Sequence, residues 1–424
     1  MTRRDFLRAA PLGAAVLSPL LSTTFSTRLH ADETTPKTPL ADWLPLWKKH
    51  ILDEAKGRPC DKNVGEELGW VASHILSGFA YGFLATRDPA WLDRAIDWTD
   101  ACLRRAVKEP DGYSGWPDGD GGGGKSDEFD ADSLLGEAML FRPIIRFSAE
   151  ILHTPALSEK YGEKARSYLT FAAMLLEKWQ ARDCWREVEG GGLWVVPAFG
   201  IDKSTGKWSA GYEQRKTGGF SNPANKQNVI ACWHLELSET AALVEGRQAA
   251  FAEARRKAEQ WWRLMKNRMR TREDGKYFVW NYWDPAGPWD KKPDGSLRHW
   301  VGVHPNGGYY GIDVDSIAAA FARGIVFTKE DIDRLVATNR DFMWDQHLEA
   351  AKFRRIDGEP PDARWKDSPG VLWTALAPYD TTLAKIFVAN HNPDNWGGIA
   401  ATPRAPLLLP ALKDLLKVSG ARSL

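Results

Sequence analysis

Hydrophobic and polar positions along this chain follow a pattern that repeats. A mostly apolar stretch at helical spacing is followed by a short turn, then by a stretch with apolar residues on one face only. The first unit covers residues 65–107. Its opening helix is predicted to run to Thr86. The turn is Arg87-Asp88-Pro89, with proline where a helix starts well, and the second helix carries Trp91, Ala95, Trp98 and Cys102 on one face. Residues 133–179, 225–269 and 309–344 read the same way, and a further unit opens near Trp373 and ends in a helix over 407–418. In the fourth unit, Thr328 followed by Asp331 has the form of a capping box. An amphipathic helix is predicted over 41–55, and strand-like patterns are confined to 192–198 and 276–282.

Helical hairpins in tandem either stack in a line or close into a ring. The unit lengths are irregular and match no solenoid consensus. The first helix of each pair is the more uniformly apolar, as suits an inner ring shielded by an outer one. The predicted fold is therefore all-α, an (α/α) toroid of about five to seven hairpins. The long loops 108–132, 181–224, 271–308 and 346–371 all fall between a second helix and the next first helix, hence on one face. Loops of this length in a compact domain usually carry function.

The N-terminus has a separate pattern. Arg3-Arg4 is followed by Phe6-Leu7 and an apolar stretch from Ala9 to Leu21, too short to span a bilayer comfortably. This resembles a twin-arginine export signal. The expectation is a leader over 1–31, one toroid domain over 32–424, and a periplasmic or secreted protein with no membrane anchor after cleavage. No later apolar run is long enough for a membrane helix. The charges balance at 56 basic and 56 acidic residues. Losing the leader removes four arginines and one aspartate and leaves the mature chain acidic by about three charges. That balance argues against a nucleic-acid binder. Cys60, Cys102, Cys184 and Cys232 form no CxxC, so no zinc site is expected. Export after folding in a reducing cytosol favours buried thiols. The 21 tryptophans fit a sugar-binding groove somewhat better than a core filled with indoles.

In such a ring the inner-helix N-termini and the long loops share one mouth, so polar residues there are the candidates. Asn225, Lys226, Gln227 and Asn228 open one inner helix, where amides and the helix dipole suit a carboxylate. His234 lies two turns further on, facing either the cavity or the core. His304, Gly307, Gly308, Tyr309 and Tyr310 open a later inner helix, with Asp313 and Asp315 just inside it. The glycines allow a close backbone approach to a ligand. An acid-dense loop runs from Asp111 through Trp116, Asp118, Asp120, Asp127 and Glu128 to Asp130 and Asp132. It lacks the spacing of a calcium loop and reads best as a lid with an acidic helix start. Trp70, His74, Glu137 and Arg142 sit on the first two inner helices. Arg142, in an apolar helix, requires an anionic partner from the protein or the substrate.

Hairpins joined by Gly112-Tyr-Ser-Gly-Trp-Pro117 and by Asn222-Pro-Ala-Asn225 resemble the (α/α)-toroid carbohydrate enzymes over nearly the whole mature chain. The polar set further resembles the alginate and glucuronan lyases of polysaccharide lyase families 5 and 38. That resemblance implies β-elimination on an acidic polysaccharide, without a cofactor or metal. Asn225 or Asn228 would neutralise the uronate, and Tyr309 or Tyr310, with His304 and His234, would move the protons. Trp70, His74, Trp116, Arg142, Lys226 and Gln227 would hold the substrate. The chain departs from family 5 in two places: no histidine adjoins the asparagine, and His304 stands where an arginine precedes the tyrosine. The alternative is a toroid glycoside hydrolase acting on uronides, pairing Asp130 or Asp132 with Asp313 or Asp315. A sugar-binding protein is the non-enzymatic reading.

Overall fold

The computed structural model describes residues 40–53, 61, 68–117, 129–197, 199–210, 218–272, 275–366, 368–390, 404–408, 412 and 414. Residues 1–31, read from sequence as an export leader, lie outside the described residues, as do Cys60 and the acids Asp118, Asp120, Asp127 and Glu128. Helix α1 spans Leu40–Trp47. Four hairpins follow: α2 (Ser73–Thr86) with α3 (Ala90–Arg104), α4 (Leu134–His153) with α5 (Pro155–Ala181), α6 (Ala224–Ser238) with α7 (Gln248–Arg268), and α8 (Gly308–Phe321) with α9 (Lys329–Ala337). A 3-10 segment at Thr374–Tyr379 and helix α10 (Thr381–Asn390) begin a fifth unit.

The packing is that of an (α/α) toroid. Helix α2 packs on α4, α4 on α6, α6 on α8, and α8 on Thr374–Tyr379, while α3, α5 and α7 each cover the inner helix that precedes them. The first helix of each pair is the inner one, as its apolar character predicts. Local signals set the ends. Arg87 closes α2 in the left-handed region at φ 59°, and Asp88 caps the Ala90 amide at 3.0 Å. Ser133 Oγ accepts from the Gly136 amide at 3.0 Å to start α4. Thr328 and Asp331 form the capping box of α9, with Thr328 N donating to Asp331 Oδ2 at 2.8 Å.

Short antiparallel ladders lie in the loops: β1 (Val107–Lys108) with β2 (Ser114–Gly115), β3 (Phe129–Asp130) with β6 (Phe199–Asp202) and β7 (Trp208–Ala210), β4 (Trp185–Val188) with β5 (Gly191–Trp194), and β8 (Arg270–Arg272) with β9 (Tyr277–Val279). The core between the rings is filled by indoles more than the composition alone suggested. Trp47, Trp91, Trp98, Trp233, Trp262, Trp280 and Trp373 are among the largest fully buried side chains. Cys102, Cys184 and Cys232 are buried as well. Among the described residues no helix is long and apolar enough to cross a membrane.

Charged side chains on and next to the inner helices pair with one another. Arg142 binds Glu236 through two hydrogen bonds at 2.9 and 3.1 Å, and Arg146 reaches the same carboxylate at 2.5 Å. Arg404 pairs with Asp315 at 2.7 Å, and Arg323 with Glu239 at 2.6 Å. Burial alone would raise Glu236, but Arg142 and Arg146 hold it down at about 2. The anionic partner that Arg142 requires is therefore a protein carboxylate.

Candidate active site

The N-terminus of α8 is fastened before any side chain is considered. Gly307 N donates to Ser368 O at 3.0 Å, and a Cβ on Gly307 would lie 2.5 Å from Gly370 Cα. The glycine permits close approach to the protein's own 353–371 loop, where the sequence suggested a ligand. Gly69 makes a similar contact with Gly136, where a Cβ would meet backbone at 2.6 Å, and so sets Trp70 beside the start of α4.

His304 stands at this mouth among aromatic rings. Its ring centroid lies 4.6 Å from Tyr309, 4.7 Å from Tyr282, 5.7 Å from Trp300 and 6.1 Å from Trp365. Its Nδ1 accepts from the Asn306 amide at 2.9 Å, which leaves the proton on Nε2. Partial burial and then the Arg355 guanidinium hold the imidazole below its usual range, against the opposing field of Asp362. His304 is therefore a neutral donor at pH 7. Arg355 donates to Asp357 at 2.6 Å and to Val303 O at 3.4 Å, so the 353–371 loop sets the charges of Arg355 and Asp362 on the histidine and that of Asp357 on Tyr310.

The two adjacent tyrosines separate. Tyr309 is half-buried and turns its ring to His304 and Tyr282. Tyr310 is 2% exposed; its hydroxyl accepts from the His304 amide at 2.9 Å and donates to Trp280 O at 3.4 Å. Burial raises its phenol well above 10, with the fields of Asp313 and Asp357 acting the same way. Tyr310→Phe is expected to cost about 1 kcal/mol of stability and leave turnover nearly intact; a thermal melt and a rate comparison check both.

The amide cluster holds the rings together. Gln227 clamps β5, accepting from Trp194 N at 2.8 Å and donating to Trp194 O at 2.7 Å. Asn228 accepts from the indoles of Trp261 at 2.9 Å and Trp262 at 3.2 Å, and donates to Asp313 Oδ1 at 2.7 Å. Asp313 Oδ2 accepts from Trp280 Nε1 at 2.9 Å. Asp313 is thus sealed between the rings, and burial raises it to about 7 against those hydrogen bonds. Asn225 is 1% exposed, and its Oδ1 has no hydrogen-bond partner among the described residues. By helical spacing it shares a face with Cys232 and Glu236, and Lys226 beside it is half-buried. His234 is a core histidine, bonded through Nδ1 to Ile230 O at 3.0 Å, against Trp194, and driven down to about 3 by burial. Trp116 is buried too, donating to Cys102 O at 2.9 Å. Trp70 and His74 are half-buried on the α2 side, and burial lowers His74.

Because Asp313 titrates at about 7 in the fold and near 3.8 when exposed, its contribution to stability is lost as pH rises from about 4 through 7. Glu137, which burial raises to about 7, acts in the same direction. The protein is expected to lose a few kcal/mol between pH 5 and pH 8 from this source. Denaturant melts at those two pH values check it, with Glu137→Gln flattening the trend.

The hydrolase pair considered from sequence divides likewise. Asp132 and Asp313 are buried in separate networks, whereas Asp130, beside Lys203 at 3.1 Å, and Asp315, beside Arg404, remain partly accessible. Tyr282, Trp300, Arg355, Asp357, Asp362 and Trp365 were missed from sequence. The length of the 271–308 and 346–371 loops was the available signal, but length singles out no residue within them. Among the described residues no group of three or more His, Cys, Asp or Glu could hold a metal.

The chain is similar to two solved structures of a glycoside hydrolase family 76 α-1,6-mannanase of Salegentibacter sp. HEL1_6. Both are inactive variants with two consecutive aspartates replaced, one in complex with α-1,6-mannotriose and the other with α-1,6-mannotetrose. Identity is 14% in each case, over 89% of this chain and 98% of the other, with TM-scores of 0.45 and 0.43. No family model matches the chain, and no curated protein does. The expectation of a polysaccharide lyase acting on alginate or another polyuronide is corrected. Gln227 and Asn228, two of the proposed uronate-binding amides, are committed inside the fold, and Tyr310 and His234, two of the proposed proton carriers, are buried in the core.

Proposed function

We propose that this protein is a glycoside hydrolase that takes a neutral glycan at the mouth of the toroid. The observation that carries this reading is the His304 pocket, a neutral imidazole ringed by Tyr282, Tyr309 and Trp365, with Asp357 and Asp362 close enough for their charges to act on Tyr310 and His304. Aromatic faces suit the apolar faces of sugar rings, and an Nε2–H donor suits a sugar hydroxyl.

Hydrolysis needs one carboxyl group to protonate the glycosidic oxygen and a second to attack the anomeric carbon, directly or through water. No two consecutive aspartates occur in this chain, so the pair is sought among the carboxylates whose charges reach the His304 mouth. Asp357, oriented by Arg355, is assigned the attack, and Asp362, on the exposed side of the loop, the proton transfer. Linear α-1,6-mannan is the first substrate to try, followed by other neutral glycans.

The test is release of reducing ends by the purified protein, with ultraviolet absorbance followed to detect any unsaturated product. New reducing ends without that absorbance support the reading. Binding of a glycan with no cleavage would replace it with a sugar-binding protein, and neither binding nor cleavage would remove it.

A further inference from the structure

We propose that the exposed indole of Trp300 is an outlying subsite that stacks on a pyranose ring of the glycan chain, in register with the His304 pocket. This rests on the carbohydrate reading above and adds a second point of contact to it. Among the tryptophans whose burial is described, Trp300 alone stands out from the surface, 44% exposed. It is nevertheless rigidly placed. One face stacks on Tyr282 at 5.5 Å and 9°, and Tyr282 in turn packs on His304 and Tyr309. An exposed, oriented indole with one face covered presents the other as a ready platform for an apolar sugar face.

The arm that carries it is fixed by a buried carboxylate. Asp290, 0% exposed, accepts from Ser221 N and Ser221 Oγ, each at 2.7 Å, and from Ala286 N at 2.7 Å. Its Oδ1 lies 3.3 Å from His299 Nε2, and the His299 ring stacks flat on Trp283 at 4.2 Å and 7°. Tyr282 N donates to Gly302 O at 2.8 Å, closing the base of the arm. Asp290 thus ties the residue before Trp300 to the segment that opens α6. A platform this firmly held loses little entropy when a ligand settles on it.

The test uses the full chain, a ladder of α-1,6-linked oligomannosides from disaccharide to hexasaccharide, and the variants Trp300→Ala and Trp300→Phe. Because the side chain is exposed, both variants should fold. Trp300→Ala is expected to raise KM about tenfold for the longer members, leave kcat and the shortest substrate unchanged, and be largely rescued by Trp300→Phe. No change in KM, or an equal change at every length, would overturn the subsite while leaving the hydrolase reading in place. If no glycan is cleaved, the same ladder is titrated by tryptophan fluorescence. Length-dependent binding that Trp300→Ala abolishes supports the subsite without the hydrolase, and binding without that dependence, or no binding, overturns it.

Discussion

Replacing Lys178 by methionine is expected to destabilise the protein by about 3–5 kcal/mol, enough to unfold much of it near physiological temperature. Lys178 is fully buried on α5. Its ammonium lies 2.6 Å from Asp132, 2.6 Å from Glu137 and 3.5 Å from Glu109. Arg182, one turn further along, adds contacts to Glu109 at 3.0 Å, Asp111 at 2.8 Å and Asp132 at 2.9 Å. Two cations therefore face four carboxyl groups. The mismatch is relieved by a proton: burial and then Asp132 push Glu109 up to about 9, while Lys178 and Arg182 hold Asp132 below its usual range despite its burial. Methionine keeps the volume and removes the charge, which leaves buried Glu137 without its cation and Arg182 alone against Glu109, Asp111 and Asp132. The defect should shrink at acidic pH, where Asp132 and Glu137 can be protonated, and grow as pH rises. Adding Glu137→Gln to Lys178→Met should recover part of the loss. Chemical melts at pH 5 and pH 8 measure both effects. A melting curve like wild type at pH 8 would show that the network contributes little. The network ties the start of the 108–132 loop, through Glu109 and Asp111, to the start of α4, through Asp132 and Glu137.

The second large effect concerns turnover. Asp357→Asn and Asp362→Asn are each expected to lower kcat on a cleavable glycan by about a thousandfold, with KM changed far less. Asparagine keeps the shape and removes the capacity to carry a proton or attack a carbon. Asp357→Asn also weakens the contact with Arg355, so its melting curve must be compared with wild type before the rate is interpreted. The Asp362 carboxylate accepts from Arg364 N at 2.8 Å within its own exposed turn, so its variant isolates chemistry from folding more cleanly. Full activity in both variants would move the carboxylate pair to Asp130 and Asp315, the accessible members of the earlier set.

How far the site could be read from sequence varied from residue to residue. His304 and Tyr309 were identified because they stand at the start of an inner helix, and helix starts in a toroid face the mouth. Tyr310 follows Tyr309 directly, yet about 100° of helical rotation carries its ring into the core. Asn228 and Asp313 drew attention as polar residues in apolar helices. Their tryptophan partners, Trp261, Trp262 and Trp280, lie 33 or 34 residues away along the chain, and Asn228 and Asp313 lie 85 residues from each other, and no local pattern announces such a bond. His234 could face either way until Trp194 was placed against it. Asp357 and Asp362 sit in a loop whose composition resembles any charged surface turn.

The sequence alone determined the helical hairpins, their order, the inner and outer roles, the cap at Thr328, the proline turn at Pro89, and the face on which long loops gather. These follow from periodicity and local backbone chemistry, which act over a few residues. The tertiary structure alone decided which polar residues are sealed as ring-to-ring struts and which remain open to a ligand. That choice depends on which distant side chain meets each amide or carboxylate, and a buried polar group is stable only once such a partner is in place.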